Sequence, residues 1–341
     1  MRHYDIIFLT NLPSFYKINL FNEISRKQKI LVLFTNRTAE VRNKDFFSGE
    51  KFFDSEELPT GNYAKIKYVN ALFKNIEYDR LVISGWDEPI SYYLAFKSSR
   101  KKNSVIVESS IYESSVTGVK GLLKRIFLRR ISRGYVPGEA NSQLLKALRF
   151  KGEIIKTHGV GVFNYLPQAP YTPCSDDCNR FLYVGRLSPE KNLNRVINVF
   201  NRNPQWTLSI IGFGPQEAEL KSLAAENVKF IGAVDNLALP SYYRSHDTFI
   251  LASVSEPWGL VVEEALNNGL PVAGSEVIGC ADDWLKDKRF GITFNPMDEF
   301  SIECALKIVS TPDNNNRLRQ NISKLNFADI ELKQVQCYLL K

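Results

Sequence analysis

Residues 249–274 read FILASVSEPWGLVVEEALNNGLPVAG, and this stretch decides how the chain is built. Phe249 to Ala252 is a short apolar run of the kind that forms a buried strand. A polar turn, Ser253-Val254-Ser255-Glu256-Pro257, follows, and a helix is expected from about Gly259 to Asn267. Gly269 stands where a helix C-terminal cap is expected, and Leu270 to Ala273 read as the next strand. The unit is strand, turn, helix, strand. Glu256 falls in the turn and Glu264 on the helix, with seven residues between them, so both can face one ligand at the carboxyl edge of a sheet.

Upstream and downstream the same alternation recurs. Leu182 to Val184 is a strand, Gly185-Arg186-Leu187-Ser188-Pro189-Glu190-Lys191 its loop, and a helix follows from about Leu193 to Phe200. Thr207 to Ile211 is a strand ending at Gly212-Phe213-Gly214-Pro215, and Val228 to Ile231 is another. Gly291 to Phe294 and a helix from Phe300 close this series, with polar helix beyond Asn315. The acid pairs Asp176-Asp177 and Asp282-Asp283 fall in a linker and in a loop.

The first half opens as a βαβ unit: strand Asp5 to Thr10, helix Tyr16 to Arg26, strand Ile30 to Phe34. It carries no GxGxxG, so nothing signals a dinucleotide pyrophosphate. Residues 36–63 read as a polar excursion, and Ile66 to Val69, Leu81 to Ser84 and Val105 to Val107 as strands. The last ends on Glu108-Ser109-Ser110, candidates for substrate contact set against the plain reading of a solvated loop acid. Lys120 to Gly134 is a basic amphipathic helix with Leu123, Phe127 and Ile131 at four-residue spacing. The expected organisation is α/β with two doubly wound domains. They are residues 1–165, a Pro-rich linker at 166–178, residues 179–326, and a tail at 327–341.

Composition narrows the function. The chain has 341 residues, 44% hydrophobic and 24% charged, which is globular and long enough for two domains. No apolar stretch approaches the roughly 20 residues of a membrane span, so a cytoplasmic location is expected. The five cysteines are odd in number and irregularly spaced, which argues against a disulfide framework. Cys174 and Cys178 have no partner pair for a metal, and the three histidines are scattered, so no metal site is expected. The net charge of +7 is uneven: Lys97 to Lys151 holds thirteen Lys or Arg against three acids. That local excess points to an anionic partner, and Lys120 to Arg133 is the candidate for an anionic membrane surface. Nucleic acid is disfavoured, since no aromatic platform interleaves the basic run.

Gly185-Arg186 with Lys191, Gly212 and Gly214, Glu256 and Glu264 all fall at or just after strand ends. Cations beside a glycine at a helix start suit a diphosphate, because Arg offers a planar fork, Lys a point charge and the helix free N–H donors. A carboxylate accepts both protons of a vicinal diol. Together they describe a nucleoside diphosphate sugar site.

The second half resembles the retaining glycosyltransferases of family 4, which have the two-domain GT-B fold. VGRLSPEKNLNRVINVF matches G-R-L-x-x-x-K-N, and LSIIGFGPQEAELKSLA matches G-x-G-P-x-x-x-x-L. SVSEPWGLVVEEALNNGLPVAGS matches the segment with two glutamates seven residues apart. PSFYKINLF from Pro13 resembles the family's first loop and helix, so Pro13 and Tyr16 join the acceptor side. The resemblance implies two Rossmann-like domains facing across a cleft, with the tail helix crossing back to the first. It implies that Arg186 and Lys191 hold the donor diphosphate, Glu264 the ribose hydroxyls and Glu256 the sugar. The backbone at Trp258, Gly259 and Leu260 would contact sugar and phosphate, and Ile231 would line the base. Two places depart from the pattern. The first loop reads Thr10-Asn11-Leu12-Pro13 where relatives carry two glycines, and Glu108 stands where many carry a histidine.

The expected reaction is metal-independent, cofactor-free transfer of a hexose-type sugar from a UDP or GDP type donor, with retention. The expected acceptor is a lipid-linked saccharide in surface polysaccharide or glycolipid assembly. Two alternatives stay open: a soluble synthase acting on a free small acceptor, and a non-catalytic nucleotide-sugar-binding partner of another transferase.

Overall fold

The computed structural model describes residues 1–35, 47, 49–163, 167–174 and 177–340. Parts of the expected excursion (36–46 and 48), residues 164–165 of the expected first domain, 166 and 175–176 of the expected linker, and Lys341 of the expected tail lie outside them. The chain forms two compact units, Met1–Asn164 with Ala328–Lys341, and Tyr165–Phe327.

The first unit runs β1 (Arg2–Thr10), α1 (Phe15–Ser25), β2 (Ile30–Phe34), β3 (Asp54–Glu57), α2 (Asn62–Leu72), β4 (Ile76–Ser84), α3 (Pro89–Lys97), β5 (Asn103–Ile106), α4 (Gly118–Leu128), β6 (Arg133–Val136), α5 (Glu139–Ala147) and β7 (Glu153–Lys156). Its parallel sheet has the order β3-β2-β1-β4-β5-β6-β7. β2 is buried at all five positions, as a continuous apolar strand covered on both faces must be. The order reverses between β1 and β4, the switch point where ligands bind such sheets.

The second unit continues β8 (Arg180–Val184), α6 (Leu193–Arg202), β9 (Thr207–Ile211), α7 (Glu217–Leu223), β10 (Val228–Gly232), α8 (Leu239–Ser245), β11 (Thr248–Leu251), α9 (Leu260–Asn267), β12 (Val272–Ser275), α10 (Ala281–Trp284), β13 (Gly291–Phe294), α11 (Glu299–Val309) and α12 (Pro312–Ile322). Its six strands are parallel in the order β10-β9-β8-β11-β12-β13, with the switch point between β8 and β11. Phe181, Phe200 and Trp206 meet edge to face in its core.

A last helix, α13 (Phe327–Tyr338), carries the chain into the first unit. The Tyr338 ring lies 4.5 Å from that of Tyr135 and 6.0 Å from that of Phe8. Arg80 donates to the Tyr338 carbonyl at 3.2 Å, and Gln28 exchanges two 3.0 Å bonds with the Leu340 backbone.

Several expectations need correction. Ile66 to Val69 is not a strand: it belongs to α2, where Val69 is fully buried and Ile66 packs beside it on the core. The excursion contains β3, whose sequence DSEE has no apolar alternation to betray an edge strand. The basic helix stops at Leu128, and Ile131 is buried beyond it. α4 buries Gly121, Lys124, Phe127 and Leu128, so its face is rotated from the expected stripe and Leu123 is 47% exposed. Asp282 and Asp283 sit in the one-turn helix α10 rather than in a loop. Cys174 and Cys178 are joined in one disulfide, their Cα atoms 6.0 Å apart. Irregular spacing along the whole chain could not reveal so local a bridge.

Candidate active site

In the second unit, the loops after β8 and β11 leave the sheet at the switch point and carry the predicted charges. After β8 the chain turns at Gly185, and the buried Tyr183 hydroxyl fixes the turn by donating to the Arg186 carbonyl at 2.7 Å. The next loop, at Gly212, passes so close that a Cβ there would stand 1.8 Å from the Gly185 carbonyl oxygen. Only glycine permits that approach. Gly214 follows in the same loop, whose Phe213 carbonyl accepts the Leu187 N–H at 3.0 Å.

The loop from β8 ends in a single 3-10 turn, Pro189–Lys191. Asn192, left-handed at φ 58°, then starts α6. Its buried amide donates to the carbonyls of Ala252 (3.2 Å) and Pro296 (2.7 Å), tying this loop to the end of β11. The pairing places Lys191 against Glu256: the two form an ion pair with side chains 12% and 15% exposed. Arg186 donates to Glu190 at 3.1 Å, and Ser188 donates to the same carboxylate oxygen at 2.6 Å. The Glu190 carbonyl accepts the Val254 N–H at 2.9 Å, which brings the two loops together again. Burial raises the Glu190 pKa, whereas the Ser188 hydroxyl, the Glu190 backbone N–H and the charges of Arg186 and Lys191 lower it, and the net shift is downward.

Glu256 itself is held from the far side. It pairs with Ile278 as an isolated parallel bridge, and its carbonyl accepts the Gly279 N–H at 2.9 Å. The Trp258 carbonyl accepts from Cys280 at 3.0 Å. Gly259 caps α9 with φ 98°, a left-handed backbone that suits glycine, and Leu260 opens the helix. The Trp258 ring is buried (3% exposed), so this residue offers a ligand its backbone and not its indole. Ile231 is 41% exposed at the end of β10.

Glu264 is half-buried on α9 and accepts the hydroxyl of the buried Tyr243 at 2.9 Å. Desolvation pushes its pKa up to about 7 and the Tyr243 bond works against this. Its neighbour Glu263 is more deeply placed, at 2% exposed, and desolvation pushes it up to about 8 despite the approach of the Trp258 and Trp284 indoles. Tyr243, Glu190, Asn192 and Glu263 carry no role in the sequence reading, Asn192 entering only as the last position of the matched G-R-L-x-x-x-K-N pattern. The first three act through partners 21 to 104 residues away or through a turn geometry that composition does not reveal.

In the first unit, Pro13 and Tyr16 lie in and just after the loop from β1, both half-buried. The Tyr16 carbonyl accepts the Val162 N–H at 2.9 Å. Glu108 follows β5 and pairs with Lys17 at 3.0 Å, the cation 8% and the acid 32% exposed. Lys17 also reaches Thr10 Oγ1 at 3.5 Å. Asn141 donates to the carbonyls of Glu108 (2.6 Å) and Ser109 (3.0 Å), which fixes that loop. A second ion pair, Lys65–Glu88 at 2.7 Å, is 9% and 12% exposed, and Thr35 donates to the same carboxylate. Lys17, Lys65 and Glu88 gave no signal in the sequence, because each looks like an ordinary surface charge until the fold buries it.

Among the described residues, His3, Asp5 and Asp79 bring three metal-ligand atoms within 4.8 Å, on the surface at the amino-terminal end of β1. None of the predicted donor residues belongs to that group. No described helix is long and apolar enough to cross a membrane.

Residues 172–325 match the family of glycosyl transferases group 1. Over these residues, a little under half of the chain, the sequence is similar to that family. Among curated relatives, the chain is 35% identical over 120 residues to sulfoquinovosyl transferase SQD2 of Arabidopsis thaliana, covering 34% of this chain and 24% of that one. It is 33% identical over 123 residues to the O-antigen biosynthesis glycosyltransferase WbnH of Escherichia coli, covering 36% of each. The chain thus spans about a quarter to a third of the length of these relatives. Among solved structures, sucrose-phosphate synthase from Thermosynechococcus elongatus superposes with a TM-score of 0.72 at 16% identity, covering 98% of both chains. The fold is therefore GT-B.

Proposed function

We propose that the chain is a retaining, metal-independent glycosyltransferase that moves a hexose-type sugar from a nucleoside diphosphate sugar to a saccharide acceptor. The observation that carries the reading is the Lys191–Glu256 ion pair at the switch point, with Arg186 one turn away. Arg186 and Lys191 take the diphosphate, and Glu264, once ionised, accepts the two ribose hydroxyls. Glu256 lies beside the sugar, and Ile231 beside the base. Gly185, Gly212 and Gly214 let the backbone approach the phosphates, and the N–H groups at Gly259 and Leu260 add donors.

In the reaction the bond from the anomeric carbon to the phosphate oxygen breaks, and its electron pair leaves with the diphosphate. Positive charge spreads over the sugar as in other glycosyl transfer. The acceptor oxygen then bonds to the same face of the anomeric carbon, and its proton passes to the leaving phosphate. The demand on the protein is to stabilise charge growing on the diphosphate, which fixed cations do without reorganising. On the acceptor side Glu108, held by Lys17, stands where many relatives carry a histidine. An ionised carboxylate accepts hydrogen bonds only, so Glu108 orients an acceptor hydroxyl, with Pro13, Tyr16 and Ser109 around it.

The acceptor is a lipid-linked saccharide in surface polysaccharide or glycolipid assembly, and the chain sits on the cytoplasmic face of the membrane. The support is α4, whose Val119, Leu122 and Leu123 are exposed at 74%, 54% and 47% beside Lys120, Arg125 and Arg129. Slow release of sugar from a panel of nucleoside diphosphate sugars by the purified chain tests the reaction. One donor should turn over without added metal, and persistence of that turnover in Lys191→Ala would sink the diphosphate assignment.

A further inference from the structure

A cavity of about 560 Å³ opens on the first unit at the opposite end from the predicted acceptor residues. Its lining comes from the segment before β5 (Arg100), the last turns of α4 (Leu122, Arg125, Ile126, Arg129) and the segment between α5 and β7 (Arg149, Phe150, Lys151). All three segments lie toward the amino ends of the strands, whereas Glu108 and Ser109 follow a strand's carboxyl end.

Five of the lining residues are cations and none is an acid. The ends of α4 and α5 account for some of this charge, since a helix C-terminus favours a cation. They do not account for five around one cavity. One detail points to a ligand. The Nε–H of Arg125 is buried with no acceptor, while its other end donates to the Val116 carbonyl at 2.9 Å. Arg149 has a left-handed backbone, φ 60°, because it closes α5: the Phe150 N–H donates to the Leu145 carbonyl at 3.0 Å and the Arg149 N–H to the Lys146 carbonyl at 2.9 Å. The remaining lining is apolar, and Leu122 belongs both to it and to the exposed apolar surface of α4.

We infer that this cavity is a second, non-catalytic site, which binds the phosphate headgroup of an anionic bilayer lipid while the exposed apolar residues of α4 enter the acyl region. Charge complementarity selects the headgroup, and continuity with Val119, Leu122 and Leu123 selects a lipid over a soluble phosphate. The inference rests on the membrane reading above and deepens it.

The test is flotation of the full chain with phosphatidylcholine vesicles, with and without phosphatidylglycerol. Arg129→Gln with Arg149→Asn removes two cavity cations, and asparagine retains the left-handed backbone. Lys101→Gln with Lys74→Gln removes the same charge at exposed positions outside both the cavity and α4. Wild type should float only with phosphatidylglycerol, and the cavity pair should reduce binding about tenfold more than the outside pair, beyond the general loss per charge. Equal losses would overturn the cavity and leave the membrane reading standing. Absence of wild-type flotation would overturn both. Release of bound protein by glycerol 3-phosphate would mark a soluble-phosphate site and overturn the lipid assignment. If the cavity pair fails to fold, Lys151→Gln, at an exposed position, against Lys101→Gln makes the same comparison.

Discussion

The carboxyl edges of the two sheets are built differently. In the second unit the edge is made from short loops whose glycines permit close passage, as at Gly212, and whose charges pair across the switch point. In the first unit the corresponding edge has Pro13 in its first loop and is held by ion pairs, Lys17–Glu108 and Lys65–Glu88. One edge is specified by backbone shape and the other by side-chain partners. A phosphate-bearing nucleotide is bound largely by backbone N–H groups and fixed cations, which constrain sequence tightly.

That difference can be broken at several points. The largest effect is expected at the second edge: Arg186→Ala or Lys191→Ala should lower turnover by roughly 100- to 1,000-fold, as loss of a charge-stabilising donor does elsewhere. Steady-state rates on the same donor check it. Gly212→Ala should follow, since its Cβ would clash with the Gly185 carbonyl backbone. A loss of about 3 kcal/mol in chemical denaturation, with weakened nucleotide binding, is expected. At the first edge, Lys65→Met leaves Glu88 buried without its cation and should cost about 3 kcal/mol. Lys17→Met should cost less, because Glu108 is a third exposed.

The smallest effect concerns pH. Glu263 has a folded pKa of about 8, well above that of an unfolded glutamate. Between those values the unfolded chain binds fewer protons than the folded one, so this group's contribution is full at low pH and is lost as pH rises toward about 8. Glu263→Gln should flatten the fall of Tm between about pH 5 and 8. A fall as steep as that of wild type would show that Glu263 is not the group responsible.

The same contrast decides what could be read from sequence. The second unit's strands and loops were legible because each carries a local pattern, and of the proposed donor residues Arg186, Lys191 and Glu256 fall in the loops after β8 and β11 while Glu264 falls on α9. Glu190 was not, although it is adjacent, because its role depends on the 3-10 turn that aims it at Arg186. In the first unit the apolar strands were legible, but β3 carries only polar residues and α2 was mistaken for a strand from the short run at Ile66. Lys124 belongs to the run that reads as a basic amphipathic helix. Folded, it donates to Ser114 and Ser115 and lies 5.4 Å from the Trp86 ring centroid.

The central claim is that the second unit's switch point is a nucleoside diphosphate site. Thermal denaturation with UDP, GDP and ADP, on wild type and on the Arg186→Ala/Lys191→Ala double variant, tests it most directly. One nucleotide should raise the wild-type Tm by mass action and leave the variant's unchanged. An equal rise in both proteins, or none in wild type with any of the three, would contradict the claim.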